Sequence, residues 1–109
     1  MIIGNVSRSG DGEDSYGGAI SLFPSPHRLD IIKNRKKQSE RDPDYLVTTI
    51  INAKTLQVGT GWIRPNSDGE MKTYLRIHAP ASGQTVLHAH LEPSDNLPVG
   101  SFDVVWPAA

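Results

Sequence analysis

Residues 42–77, DPDYLVTTIINAKTLQVGTGWIRPNSDGEMKTYLRI, decide the fold. Tyr45, Val47, Thr49 and Ile51 alternate with Leu46, Thr48 and Ile50. Leu56, Val58, Thr60 and Trp62 alternate with Gln57, Gly59 and Gly61. Lys72, Tyr74, Arg76 and His78 alternate with Thr73, Leu75, Ile77 and Ala79. Successive side chains leave a strand on opposite faces, so a two-residue period rich in β-branched and aromatic residues predicts three strands. Asn66-Ser67-Asp68-Gly69 supplies a hairpin turn with Gly where a positive φ is needed. Asn52-Ala53-Lys54-Thr55 supplies a second turn of weaker chemistry. Three strands and two tight turns make a β-meander.

The flanking sequence extends the pattern. Ile2–Arg8 and Tyr16–Phe23 predict a hairpin across the turn cluster Gly10–Ser15, with Tyr16, Ile20 and Leu22 on one face. Gly17 and Gly18 predict a bulge or a close backbone approach. Pro24 and Pro26 are expected to stop that strand, since proline donates no ladder hydrogen bond. Leu29–Ile32 is then a short third strand at an edge. Downstream, Gln84–Glu92 places Val86, His88 and His90 on one face and Leu87, Ala89 and Leu91 on the other. In Phe102–Trp106, residues Phe102, Val104 and Trp106 share a face. No segment repeats at helical spacing. The expectation is an all-β domain with little or no helix. It is a small antiparallel barrel or sandwich of seven or eight short strands, in up-and-down order because most connections are short.

The chain has 109 residues, enough for one domain spanning 1–109 and one modest core. It has no Cys, which excludes disulfides, thiolate metal sites and cysteine nucleophiles, and fits a cytoplasmic setting. The first residues carry no basic stretch followed by an apolar one, so no secretory signal is expected. No apolar run reaches the ~20 residues that cross a bilayer, so no membrane partner is expected. Net charge is −1 but uneven. Between residues 28 and 41, six cations stand against Asp30 and Glu40, a net charge of +4. Beyond Arg76 there is no Lys or Arg, while Glu92, Asp95 and Asp103 contribute −3. Residues 33–43 form a polar, basic loop within the domain; no apolar stripe exists to dock a helix there.

A set of short motifs runs along the whole chain. They are Ile3-Gly4, Tyr16-Gly17-Gly18 with Ile20 and Leu22, Pro43-Asp44-Tyr45-Leu46-Val47, and Val58-Gly59-Thr60-Gly61-Trp62. Gly69 follows, then Tyr74-Leu75-Arg76-Ile77, Leu87-His88-Ala89-His90-Leu91-Glu92 and Phe102-Asp103-Val104-Val105-Trp106. In order and spacing the chain resembles the domain-of-unknown-function family 736, small bacterial proteins often carried on plasmids and other mobile elements. The basic loop and the His-bearing strand depart from the family's pattern. The resemblance implies a β-rich fold and a mobile-element or bacterial cytoplasmic setting. It transfers no catalytic residue.

Three chemistries compete for the polar residues. A positive groove beside stacking rings binds single-stranded nucleic acid. Its candidates are Lys33, Arg35, Lys36, Lys37 and Arg41 in the loop and Lys72, Tyr74 and Arg76 on one strand face, with Tyr45 or Trp62 as further stacking rings. Net charge −1 and a pI near 6.4 weigh against a dedicated nucleic-acid binder. A His-x-His pair with a third ligand holds zinc or iron. Here that means His88 and His90 with His78 or Glu92. Pairing about Ala81 and Ser82 puts residue i opposite 163 − i, so that His90 faces Thr73 and His78 lies diagonal to His88. The competing reading is a polar sheet face, and no cofactor is expected. The third chemistry is protein binding through an exposed strand edge or the acidic C-terminal third, including a homodimer. Catalysis is not expected. Ser residues sit in turns, Gly59-Thr60-Gly61 lies within a strand, and Asp42 and Asp44 read as loop carboxylates. The leading expectation is a non-enzymatic module that binds a protein partner, with single-stranded nucleic acid second.

Overall fold

The computed structural model describes residues 1–8, 15–22, 25–78, 86–94 and 100–107. Eight strands form one closed antiparallel barrel: β1 (Ile2–Arg8), β2 (Ser15–Leu22), β3 (Ser25–Lys33), β4 (Tyr45–Ile51), β5 (Lys54–Pro65), β6 (Met71–Ile77), β7 (Leu87–Pro93) and β8 (Ser101–Val105). Each pairs with its neighbour in sequence, and β8 returns to β1 through Asn5 opposite Asp103 and Val6 opposite Phe102. The up-and-down order and the all-β class are as the alternation predicts.

Alternation also places the core. Val6, Ile20, Leu29, Ile31, Val47, Leu75, Ile77, Ala89 and Val104 point inward and are buried. Phe102 and Trp106 pack against them. An eight-stranded barrel is just wide enough for side chains to fill. Its tight curvature needs sites where backbones approach closely. Gly18 is one: a Cβ there would lie 2.1 Å from the Asn5 carbonyl oxygen and 2.8 Å from the Val6 Cα. The pairing across Gly17 and Gly18 is unbroken, so this is the close approach and not a bulge.

Five sequence expectations are corrected. β3 is nine residues long and lies between β2 and β4, not at an edge. Pro26 is part of it, opposite Ser21, near the strand's start where a missing donor costs least. In β5, Val47 faces Gly59 but Thr48 faces Gln57, so Val58 is an extra, bulged residue. The bulge shifts the phase: Leu56 lies opposite inward Thr49, whereas Thr60 and Trp62 point out. The β4–β5 turn is two residues, Asn52 and Ala53, with Lys54 and Thr55 already in strand. Finally, β6 meets β7 one residue away from the expected register, with Tyr74 opposite His90 and Arg76 opposite His88. Only this register sets inward Leu75 against inward Ala89. The turn at 79–85, the acidic Asp95, and Pro24 and Pro98 lie outside the described residues.

Candidate functional site

The basic loop between β3 and β4 is built around two residues. Asn34 donates its backbone N–H to the Asp44 carbonyl at 2.9 Å and its side-chain amide to the Pro43 carbonyl at 3.0 Å. Its side-chain oxygen accepts from Lys36 N–H at 3.1 Å. Asp44 anchors the loop to β5. Its N–H donates to the Gly61 carbonyl at 2.8 Å, and its carboxylate accepts the Ile63 N–H at 2.8 Å and the Lys37 ammonium. Burial pushes this carboxyl up. The Ile63 N–H, the Lys37 ammonium and the Arg64 guanidinium at 3.7 Å outweigh that and hold it below the usual Asp value. Asp42 accepts from Gln38 N–H at 3.0 Å. Arg64 reaches the Glu40 carbonyl at 2.9 Å, and Trp62 Nε1 donates to the Arg41 carbonyl at 3.4 Å. The loop is an ordered strap laid over β5; Asp44, Arg64 and Trp62 hold it there, and Asp42 braces it from within.

That strap redistributes the proposed phosphate contacts. Lys33, Arg35, Lys36 and Arg41 are exposed, but Lys37 is committed to Asp44. On the outer face of β6, Lys72 is tied to Glu92 at 2.9 Å, Tyr74 is half-buried, and Arg76 is exposed. The expected stacking surface does not assemble. Tyr45 is buried inside the barrel, 6.0 Å from Tyr16 centroid to centroid, and burial together with Tyr16 pushes its hydroxyl up to about 12. Trp62 faces outward but is half-buried beneath the strap.

The histidines separate. His78 and His88 are exposed. His90 points outward yet is only 2% exposed; its ring lies 6.1 Å from that of Tyr74, and its Nε2 is 3.0 Å from Glu92 Oε1. Hydrogen bonds from Lys72 and His90 pull the Glu92 carboxyl below its ordinary value. Among the described residues no three His, Cys, Asp or Glu side chains stand together as metal ligands. Of the acidic residues of the last third, Glu92 is engaged by Lys72 and His90, and Asp103 accepts from Asn5 Nδ2 at 2.6 Å.

Closure pairs every strand with two neighbours, but among the described residues some strand ends have a ladder partner on one side only: Ser25–Leu29 of β3, Met71–Thr73 of β6 and, with exposed apolar side chains beside it, the start of β5. β5 begins at Lys54, but its ladder with β6 begins only at Gly59. Lys54–Gln57 therefore pair with β4 alone, and β4 meets β3 only as far as Thr48. The hairpin tip projects from the barrel as a two-stranded arm. Ile50, Ile51 and Leu56 on it are 46%, 41% and 44% exposed. Its turn holds Asn52 at φ 51° and Ala53 at φ 63°. Both turn residues adopt the left-handed conformation that suits a two-residue hairpin, and Ala53 does so without the freedom of glycine. The sequence carried a signal for this arm: strand pattern on both sides of a turn, but more apolar residues than one inward face can bury.

The opposite end of the barrel holds a residue the sequence reading passed over. Arg8 follows Val6 by two, so it shares the inward face of β1. Its guanidinium lies 5.7 Å from the ring centroids of both Tyr16 and Phe102, and those rings meet edge to face at 5.4 Å. The β1 alternation alone could have found it.

A family described as protein of unknown function (DUF736) matches residues 2–108, and the chain belongs to that family. No curated protein and no solved structure gave a significant match. Among the described residues no helix is long and apolar enough to cross a membrane.

Proposed function

We propose that this domain is a non-enzymatic binding module that accepts a strand from a partner protein along its β4–β5 arm. One observation carries the reading: Lys54–Gln57 have a ladder partner on one side only, on an arm whose Ile50, Ile51 and Leu56 are exposed. A strand with one open edge binds extended peptide through main-chain hydrogen bonds, and exposed side chains beside it set the choice of partner. Lys54 is the arm's single charge, so the fitting partner strand is apolar with a carboxylate opposite Lys54. The cysteine-free composition supports a cytoplasmic setting, and the family resemblance supports a mobile-element origin. The test compares capture from the native host by the wild-type protein and by an Ile51→Glu, Leu56→Glu variant of unchanged melting temperature. A partner retained by the first and lost by the second is expected, and light scattering shows whether that partner is a second copy. Identical capture by both proteins refutes the arm as the site.

Single-stranded nucleic acid is the second reading, favoured by Lys36, Arg41 and Arg76, which are exposed and form no ion pair among the described residues. It predicts binding to single-stranded DNA that weakens steeply with salt and is lost in Lys36→Glu, Arg41→Glu. No binding at low salt removes it.

A further inference from the structure

The barrel mouth opposite the arm contains a small recess. It has a volume of about 270 Å³, with Arg8, Tyr16, Phe102, Leu91, Met71 and Thr73 among its walls. Alternation explains why it stays open. Arg8, Met71 and Pro93 continue the inward faces of Val6, Thr73 and Leu91 by one more step, past the last layer that meets across the barrel. Leu91, Phe102 and Tyr16 form an apolar floor. Arg8 stands above it, exposed, with its guanidinium carbon 5.7 Å from the centroid of each of two mutually perpendicular rings.

Among the described residues the guanidinium's neighbours are the Tyr16 and Phe102 rings. Among the described residues no carboxylate or carbonyl accepts from it. A guanidinium that neighbours aromatic rings and no carboxylate has N–H donors to offer a planar anion. The neighbouring charges limit which anion fits. Lys72 is already bridged to Glu92, and Glu70 stands at the same lip. Among the described residues, one cation without an ion pair beside a carboxylate suits a single negative charge and disfavours a dianion. The floor requires that the rest of the ligand be apolar. A water molecule's share of liquid volume is about 30 Å³, so the recess matches a compact body of about nine non-hydrogen atoms.

We propose that the mouth binds a small monocarboxylate with a compact apolar or aromatic body, its carboxylate on the Arg8 fork and its body against Phe102, Tyr16 and Leu91. This site is separate from the arm, and either stands if the other falls.

The test is an amide-resolved NMR titration of the full chain with sodium benzoate, benzylamine and inorganic phosphate as probes. Benzoate is expected to shift the amides of Arg8, Tyr16, Thr73 and Phe102 saturably, while benzylamine and phosphate leave them in place. Arg8→Gln is expected to weaken benzoate binding about tenfold or more, as loss of a bidentate charged pair does. Arg8→Lys keeps the charge without the fork and is expected to weaken it measurably, so the proposal stays testable if Arg8→Gln does not fold. Absence of saturable shifts at the mouth overturns the proposal. So do equal shifts from benzylamine or phosphate, or unchanged benzoate affinity in the folded Arg8 variants.

Discussion

Asp44→Ala is the sharpest test of how the basic loop is held. The substitution removes the acceptor of the Ile63 N–H at 2.8 Å, a hydrogen bond to a charged group in a part-buried position. Such bonds contribute about 1.5–3 kcal/mol, and an amide left without a partner keeps its desolvation cost. The Lys37 ion pair is about a quarter exposed on each side and adds no more than about 1 kcal/mol. Arg64, at 3.7 Å and 45% exposed, adds little. The expected loss is therefore about 3 kcal/mol, which lowers the melting temperature of a domain this size by roughly 12 °C. Asp44→Asn keeps a neutral acceptor for Ile63 and loses the charge, so about 1 kcal/mol is expected. Urea unfolding of the two variants measures both values, and amide exchange at Ile63 and Asn34 locates the damage. A loss below about 1 kcal/mol in Asp44→Ala, or equal losses in the two variants, would show that the carboxylate does not anchor the strap.

Other substitutions address different parts of the fold. Ala53→Gly relieves a left-handed alanine, which costs about 1–2 kcal/mol, against about 0.5–1 kcal/mol of added chain entropy. A gain of up to about 1.5 kcal/mol by urea denaturation is expected, and a loss would contradict the turn geometry. Gly18→Ala forces a methyl into the Asn5 carbonyl and is expected to lower stability by about 1–3 kcal/mol in the same assay; a neutral result would mean that β1 and β2 are not so closely apposed. Acid acts through Glu92, whose carboxyl is held below its ordinary value of 4.5 by Lys72 and His90. Its folded pKa is the lower one, so its contribution is full above the ordinary value and fades as pH falls through the folded one. Denaturation midpoints for wild type and Glu92→Gln are expected to differ near neutrality and to converge in acid. A gap that stays constant with pH would refute the ion pair.

The strands were legible because their side chains obey one rule over the whole chain. Val6, Ile20, Leu75, Ala89 and Val104 could be assigned to the inside from alternation alone. What alternation does not contain is phase and register. The bulge at Val58 moved Leu56 away from the face of Thr60 and Trp62, and no residue type announces such an insertion. The β6–β7 register depends on residues 79–85, where a single-residue difference decides whether Leu75 meets His88 or Ala89. Pro26 was misread because a proline at the beginning of a strand and one that ends a strand look alike in sequence. For the site, the basic residues were easy to see and their commitments were not. Lys37 and Lys72 are spoken for by Asp44 and Glu92, which lie 7 and 20 positions away in the chain. Tyr45 read as a surface ring because β4 alternates polar and apolar residues too weakly to choose its inward side.

Closure of the barrel and the open edge of the arm are tested together by amide hydrogen exchange on the free protein. The account predicts slow exchange through Asn5 and Val6 on β1 and Phe102 and Asp103 on β8, where the first and last strands meet. It predicts fast exchange for those amides of Lys54–Gln57 that point away from β4. Rapid exchange along β1 and β8, or protection of the outer edge of residues 54–57, would contradict it.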